Sequence, residues 1–178
     1  MTNSIGLQYA KAIFDLACEA KCANDYFDAL NVINDTFKTE EIVKTFSHPL
    51  VSKDEKKEIL SKSIGHLVDE VLINFLFVLI DNDRLMDLSL IISAYKELLN
   101  EYENKLEVNV YSKYPLTEEQ RVDVSNKLKN YYQKKIILNE LVDESLIGGI
   151  KVECNGEVID TTLLQSLNNL KNSLKKGW

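Results

Sequence analysis

Residues 143–160 read DESLIGGIKVECNGEVID, and this stretch decides the fold class of the second half of the chain. Ile150, Val152 and Cys154 alternate with Lys151 and Glu153, the period-two pattern of a half-buried strand. Asn155-Gly156 follows, a pair suited to a two-residue type I′ turn because both central positions need positive φ. Val158 and Ile159 begin a second short strand, and Asp160 stands where a helix N-cap would be. The stretch therefore predicts a hairpin feeding a helix. Gly148-Gly149 could present backbone N–H groups to an anion, but a lone pair of glycines better fits a tight turn or a close backbone approach.

Working outward, a final helix is expected from Leu163, Leu167, Leu170 and Leu174 at four-three-four spacing. Lys171, Lys175 and Lys176 suit the dipole of its last turn, and Gly177 can end it. Upstream, Ile136–Val142 reads as a strand. Before it, Pro115 and a capping box of Thr117 with Gln120 open a helix carrying Val124, Leu128 and Tyr131. Leu106, Val108 and Val110 alternate with Glu107, Asn109 and Tyr111, which predicts a further strand. Residues 105–178 are thus expected to form a small α+β domain.

Residues 1–104 keep a helical period throughout. Thr2-Asn3-Ser4 offers N-caps for a first helix with Tyr9, Ala12, Ile13, Leu16 and Ala20 on one stripe. Asn24-Asp25 can restart a second, with Tyr26, Leu30, Ile33 and Phe37. A short third, Glu40 to Phe46, should stop at Ser47-His48-Pro49, because the residue before proline avoids the α region. Ser52 and Glu55 make a capping box for a fourth, running to about Ser63. The fifth carries Leu67, Val68, Val71, Leu72, Phe75, Leu76, Leu79 and Ile80, with Ile73, Phe77 and Val78 apolar as well. A helix so apolar on nearly every side is either surrounded or leaves a face for a partner. Leu88, Ile91, Ile92, Tyr95, Leu98, Leu99 and Tyr102 mark a sixth. The fold expected is mostly α: an N-terminal six-helix bundle followed by a small α+β C-terminal domain.

The chain has 178 residues and a formal charge of −7, which argues against a nucleic-acid binder. No secretory or transit signal is visible at the start, and the most apolar segment, Val71 to Ile80, is well short of the ~20 residues a membrane span needs. Three cysteines do not make a disulfide framework and suit a reducing compartment. Cys18 and Cys22 lie one helical turn apart, but a structural zinc needs four ligands and only Cys154, His48 and His66 remain, scattered along the chain. Small buried hydrophobes are the better reading of the cysteines, and loop or capping roles the better reading of the histidines. No phosphate-binding, dinucleotide-binding or H-E-x-x-H motif occurs. No catalytic residue, metal or cofactor is expected.

YAKAIFDLA (Tyr9 to Ala17), NFLFVLIDNDRL in the fifth helix, YPLTEEQ, and VDESLIGGIKVECNGEVID before a Leu-rich terminal helix occur in this order over the whole chain. In that pattern the sequence resembles the delta subunit of the bacterial F-type ATP synthase, the relative of the mitochondrial oligomycin-sensitivity-conferring protein. One departure is that Leu7-Gln8 stands where that family usually has an Arg shortly before the first Tyr-Ala. The resemblance implies a non-catalytic stator subunit, peripheral at the cytoplasmic face of the bacterial membrane and held there only through the complex. It implies that the N-terminal bundle binds the N-terminal helix of the alpha subunit between its first and fifth helices, and that the C-terminal domain binds the b subunits. Carried over by position, Tyr9, Ala12, Ile13 and Val78 are the expected partner-binding residues, with Gly149 structural. The competing expectation is a helical adaptor of the same architecture that binds an amphipathic helix of another partner.

Overall fold

The computed structural model describes residues 4–48, 50–65, 68–154 and 156–160. The expected terminal helix lies outside them. The fold is mostly helical with one small four-stranded sheet, and the chain divides into two compact units, Met1–Leu99 and Asn100–Trp178.

The first unit is built from α1 (Ser4–Glu19), α2 (Ala23–Phe37), α3 (Glu40–Ser47), α4 (Lys53–Ile64), α5 (Glu70–Asp81) and most of α6 (Leu88–Tyr102). A single 3-10 turn, Leu85–Asp87, precedes α6 and was not visible in the periodicity. The caps follow the sequence. Ser52 and Glu55 form the reciprocal capping box of α4. His48, forced toward extended backbone ahead of proline, ends α3 at ψ 126°. Two boundaries differ from expectation. The second helix begins at Ala23, with Cys22 at the N-cap making no side-chain bond, rather than at Asn24-Asp25. The fifth begins at Glu70, because Asp69 takes the N-cap and accepts from the Val71 amide; Val68 therefore precedes the helix.

All six helices contribute to one buried cluster. Tyr95 of α6 sits fully buried within it, its hydroxyl donating to the Ala23 carbonyl at 2.9 Å. Its ring meets the edge of Phe14 at 5.2 Å and stacks on Phe27 at 6.1 Å, so one side chain ties α6 to α1 and α2.

In the second unit the strands β1 (Lys105–Ser112), β2 (Lys135–Val142), β3 (Ile150–Cys154) and β4 (Glu157–Asp160) stand in the order β2-β1-β3-β4. β1 and β2 are parallel, Lys105 opposite Lys135 through Ser112 opposite Val142, so the chain crosses over through α7 (Glu118–Tyr132). β3 pairs antiparallel with β1, and β4 with β3. Cys154 lies opposite Glu157, so two residues make the hairpin loop, and Gly156 takes the left-handed φ of +82°. Leu106, Val108, Val110, Val152 and Cys154 on one face of the sheet pack with Val124 and Leu128 of α7. The expected Tyr131 is instead exposed, and its neighbour Tyr132 packs against the core. Thr117 and Gln120 form the second capping box.

A candidate helix-docking face

The first helix is apolar on more of its circumference than the core uses. Gly6, Ala10, Ile13, Phe14 and Ala17 are its buried residues, a stripe rotated away from the one read in the sequence. Ala12 and Leu16 consequently face outward, Leu16 with 49% of its surface open, and Tyr9 is half-buried between the two stripes. The fifth helix repeats the situation. Leu72, Phe75, Leu76, Leu79 and Ile80 are buried, whereas Val78 is 46% exposed and Val71 half-buried.

Two contacts fix how these helices lie. The Tyr26 hydroxyl, in the first turn of α2, donates to Asp69 at 2.7 Å, which brings the end of α1 to the start of α5. At the other extremity, Gln8, Tyr9 and Ala12 share a concavity of about 430 Å³ with Asn82 and Arg84, the residues just beyond α5. The two helices therefore run antiparallel. Asn82 lies one turn beyond Val78 and donates its side-chain amide to the Val78 carbonyl at 2.8 Å, so both belong to the same edge of α5.

Matching motifs close both helices. In α1 the Cys22 amide bonds the Ala17 carbonyl at 2.9 Å and the Lys21 amide the Cys18 carbonyl at 3.1 Å, with Lys21 left-handed at φ 57°. In α5 the Arg84 amide bonds Leu79 at 2.7 Å and the Asp83 amide Ile80 at 3.1 Å, with Asp83 at φ 56°. Both are Schellman ends, and both place a non-glycine residue where glycine is usual. Asp83 is anchored by an ion pair to Lys53 at 2.7 Å, and its carboxyl is held below the ordinary range chiefly by that hydrogen bond. The Asp69 carboxyl is likewise held low, first by the Tyr26 hydroxyl and then by the Val71 amide.

Of the four expected partner-binding residues, Tyr9, Ala12 and Val78 lie at the surface on this pair of helices. Ile13 does not. It is fully buried, because it falls on the core side of α1, and so it can support the face from beneath but cannot touch a partner there. Sequence reasoning put Leu16 on one stripe with Tyr9, Ala12, Ile13 and Ala20, and gave no role of their own to Asn82 and Arg84, which lie four and six residues after Val78.

The cysteines carry no visible chemistry. Cys18 and Cys22 are half-buried and Cys154 is buried. Burial is the first cause raising the Cys18 and Cys154 thiols above their ordinary range, which disfavours the reactive thiolate. Among the described residues no group of three or more His, Cys, Asp or Glu side chains could hold a metal ion. None of the described helices is long and apolar enough to cross a membrane.

These features define a two-unit, mostly helical protein in which α1 and α5 each leave apolar residues open to solvent beside their core stripes. The chain belongs to the ATP synthase delta (OSCP) subunit family, whose sequence model matches residues 5–174. It is 35% identical over 177 residues to the ATP synthase subunit delta of Clostridium botulinum strain Langeland, covering 99% of each chain. It is 34% identical over 178 residues to the ATP synthase subunit delta of Clostridioides difficile, covering 99% of this chain and 98% of that one. A chain in the cryo-EM structure of the Toxoplasma gondii mitochondrial ATP synthase hexamer shares the fold, with a TM-score of 0.66 at 20% identity over 97% of this chain and 98% of that chain. Membership makes the chain a non-catalytic stator subunit of an F-type ATP synthase.

Proposed function

We propose that the chain clamps the catalytic head of the synthase to its peripheral stalk, at the cytoplasmic face of the membrane. In this reading residues 1–104 act as one six-helix bundle, and the N-terminal helix of an alpha subunit lies along α1 and α5. Residues 105–178 grip the b subunits. The observation that carries the reading is the apolar surface that α1 and α5 leave open, Ala12 and Leu16 on one helix and Val78 on the other, together with a concavity lined by Gln8, Tyr9, Ala12, Asn82 and Arg84. Ala12 presents only a methyl group, so a second helix can approach α1 closely, and recognition is of the helix-in-groove kind.

The role is mechanical. The central rotor tends to drag the head round with it, and torque becomes chemistry only while the head is held still. A hold that outlasts many turnovers needs nanomolar affinity, on the order of 12 kcal/mol. One apolar groove of this size falls short of that, but two units gripping two parts of the same assembly gain through effective concentration.

Calorimetric titration of the full chain with a peptide of the same organism's alpha-subunit N-terminus tests the proposal, repeated with Ala12→Asp. Ala12 is exposed, so the variant folds normally and places an unpaired carboxylate under the docked helix. Saturable one-to-one binding that the variant loses is the expected result. Equal affinity in both proteins would place the contact elsewhere.

A further inference from the structure

The sheet of the second unit ends in two edges, and they differ. β4 has four residues, whereas β2 has eight. Two main-chain bonds fix which way the groups of β2 point. The Lys135 amide donates to the Asn104 carbonyl and the Asp143 amide to the Ser112 carbonyl, both at 2.9 Å, and the pairing with β1 runs unbroken between them. Backbone groups alternate in direction along a strand, so Ile137, Asn139 and Leu141 also bond β1. Ile136, Leu138, Glu140 and Val142 therefore turn their N–H and C=O outward, with no neighbouring strand among the described residues. The usual guards of an edge are missing from the middle of β2. It has no proline and no bulge, and its central polar side chains are tied inward, Glu140 to Arg121 and Asn139 to Asn109 at 3.2 Å. Leu141 and Val142 are exposed.

An edge of this kind is completed by another extended strand, and the sequence of β2 is its own complement. We infer that the free chain pairs with a second copy of itself, β2 against β2, antiparallel about a two-fold axis through Asn139. That register sets Ile136 opposite Val142, Ile137 opposite Leu141, Leu138 opposite Glu140 and Lys135 opposite Asp143. Outward residues meet outward residues, so every open N–H and C=O of β2 finds a partner, and α7 stays on the same side of the sheet in both copies. Slipping the pairing by one residue in each copy is worse in either direction. One slip brings Glu140 against its own copy; the other moves Lys135 from Asp143 to Leu141. The remaining charges do not oppose the pairing. Lys105, beside Lys135, is paired with Glu103, and Ser145 occupies one oxygen of Asp143. Lys151 lies two strands in from this edge, and the same symmetry brings Lys134 toward Glu144. The inference is independent of where the alpha-subunit helix docks.

Sedimentation equilibrium of the full chain over a range of concentrations, with amide hydrogen exchange read residue by residue, tests the pairing. A monomer–dimer equilibrium is expected. The amides of Ile137, Asn139 and Leu141 should exchange slowly at every concentration, and those of Ile136, Leu138, Glu140 and Val142 should slow about tenfold or more as the dimer fills. Asp143→Lys sets lysine against lysine at both ends of the paired strands, and should raise the dimer dissociation constant about tenfold at low ionic strength. The exchanged pair Lys135→Asp, Asp143→Lys should restore it. A monomer at every concentration with fast outward amides overturns the inference. A monomer in which those amides are already slow also overturns it, because the chain then covers its own edge. A dimer indifferent to Asp143→Lys, or not recovered by the exchanged pair, overturns the register.

Discussion

Removing a single oxygen atom from Tyr95 tests whether one side chain holds α1, α2 and α6 together. The residue has no exposed surface, donates to the Ala23 carbonyl at 2.9 Å, and packs between Phe14 and Phe27. Tyr95→Phe keeps both ring contacts and loses only the hydrogen bond. Ala23 is the first residue of α2, so its carbonyl also accepts from within the helix and is not left without a partner. The cost is then near the middle of the range for a net hydrogen bond, about 1 kcal/mol. Tyr95→Ala removes the ring as well and leaves a cavity, at a cost of about 3–5 kcal/mol. Urea unfolding of the full chain, followed by the helical circular dichroism signal, reads both values. A Phe variant as unstable as the Ala variant would mean that the hydroxyl, not the ring, holds the three helices. An Ala variant within about 1 kcal/mol of wild type would refute the reasoning entirely, since no fully buried aromatic residue should be that dispensable.

The remaining predictions separate core from surface and test the helix ends. Leu76→Ala, at a fully buried position, should cost about 2–5 kcal/mol in the same unfolding assay. Val78→Ala, two residues away and half open, should leave the unfolding midpoint nearly unchanged while weakening the alpha-peptide titration. Lys21→Gly should stabilise the chain by a few tenths to about 1 kcal/mol, because the left-handed backbone there strains any residue with a Cβ; an unchanged or lower midpoint would contradict this. The Asp69 carboxyl is depressed in the folded protein, so its contribution is fully present above the ordinary aspartate range and is lost as pH falls through the folded value. Asp69→Asn keeps an N-cap residue but not the charge, so the gap between its unfolding midpoint and that of wild type should be full above the ordinary aspartate range and close as pH falls below it.

Local chemistry was legible in the sequence wherever a few adjacent residues decide the outcome. Ser52 with Glu55, Thr117 with Gln120 and His48 ahead of proline each act within four residues of themselves, and each does what its chemistry requires. The alternation of Leu106, Val108 and Val110 likewise gave β1 its buried face. What was not legible depends on rotation or on distance. Tyr9, Ala12, Ile13 and Leu16 share a helical period with Ala10, Phe14 and Ala17, and periodicity alone does not say which of two apolar stripes turns inward. Ile13 belongs to the core for that reason, and Leu16 to the surface. The same ambiguity let Tyr131 and Tyr132 exchange places. The parallel pairing of β1 with β2, the Tyr26–Asp69 bond and the Tyr95–Ala23 bond join residues far apart in the chain, and no local pattern announces them.

The crossover between β1 and β2 also sets a timetable for synthesis. The first helices can pack as they leave the ribosome, since most of their partners lie close in sequence. β1 has no such neighbours: β2 begins at Lys135, and β3 is complete only at Cys154, about forty residues after β1 ends. At ordinary elongation rates of 5–20 residues per second, the apolar face of β1 waits roughly 2–8 seconds for its sheet. Lys105, Glu107 and Lys113, set in and beside that strand, are charges of the kind that disfavour pairing of a waiting apolar segment with another nascent chain.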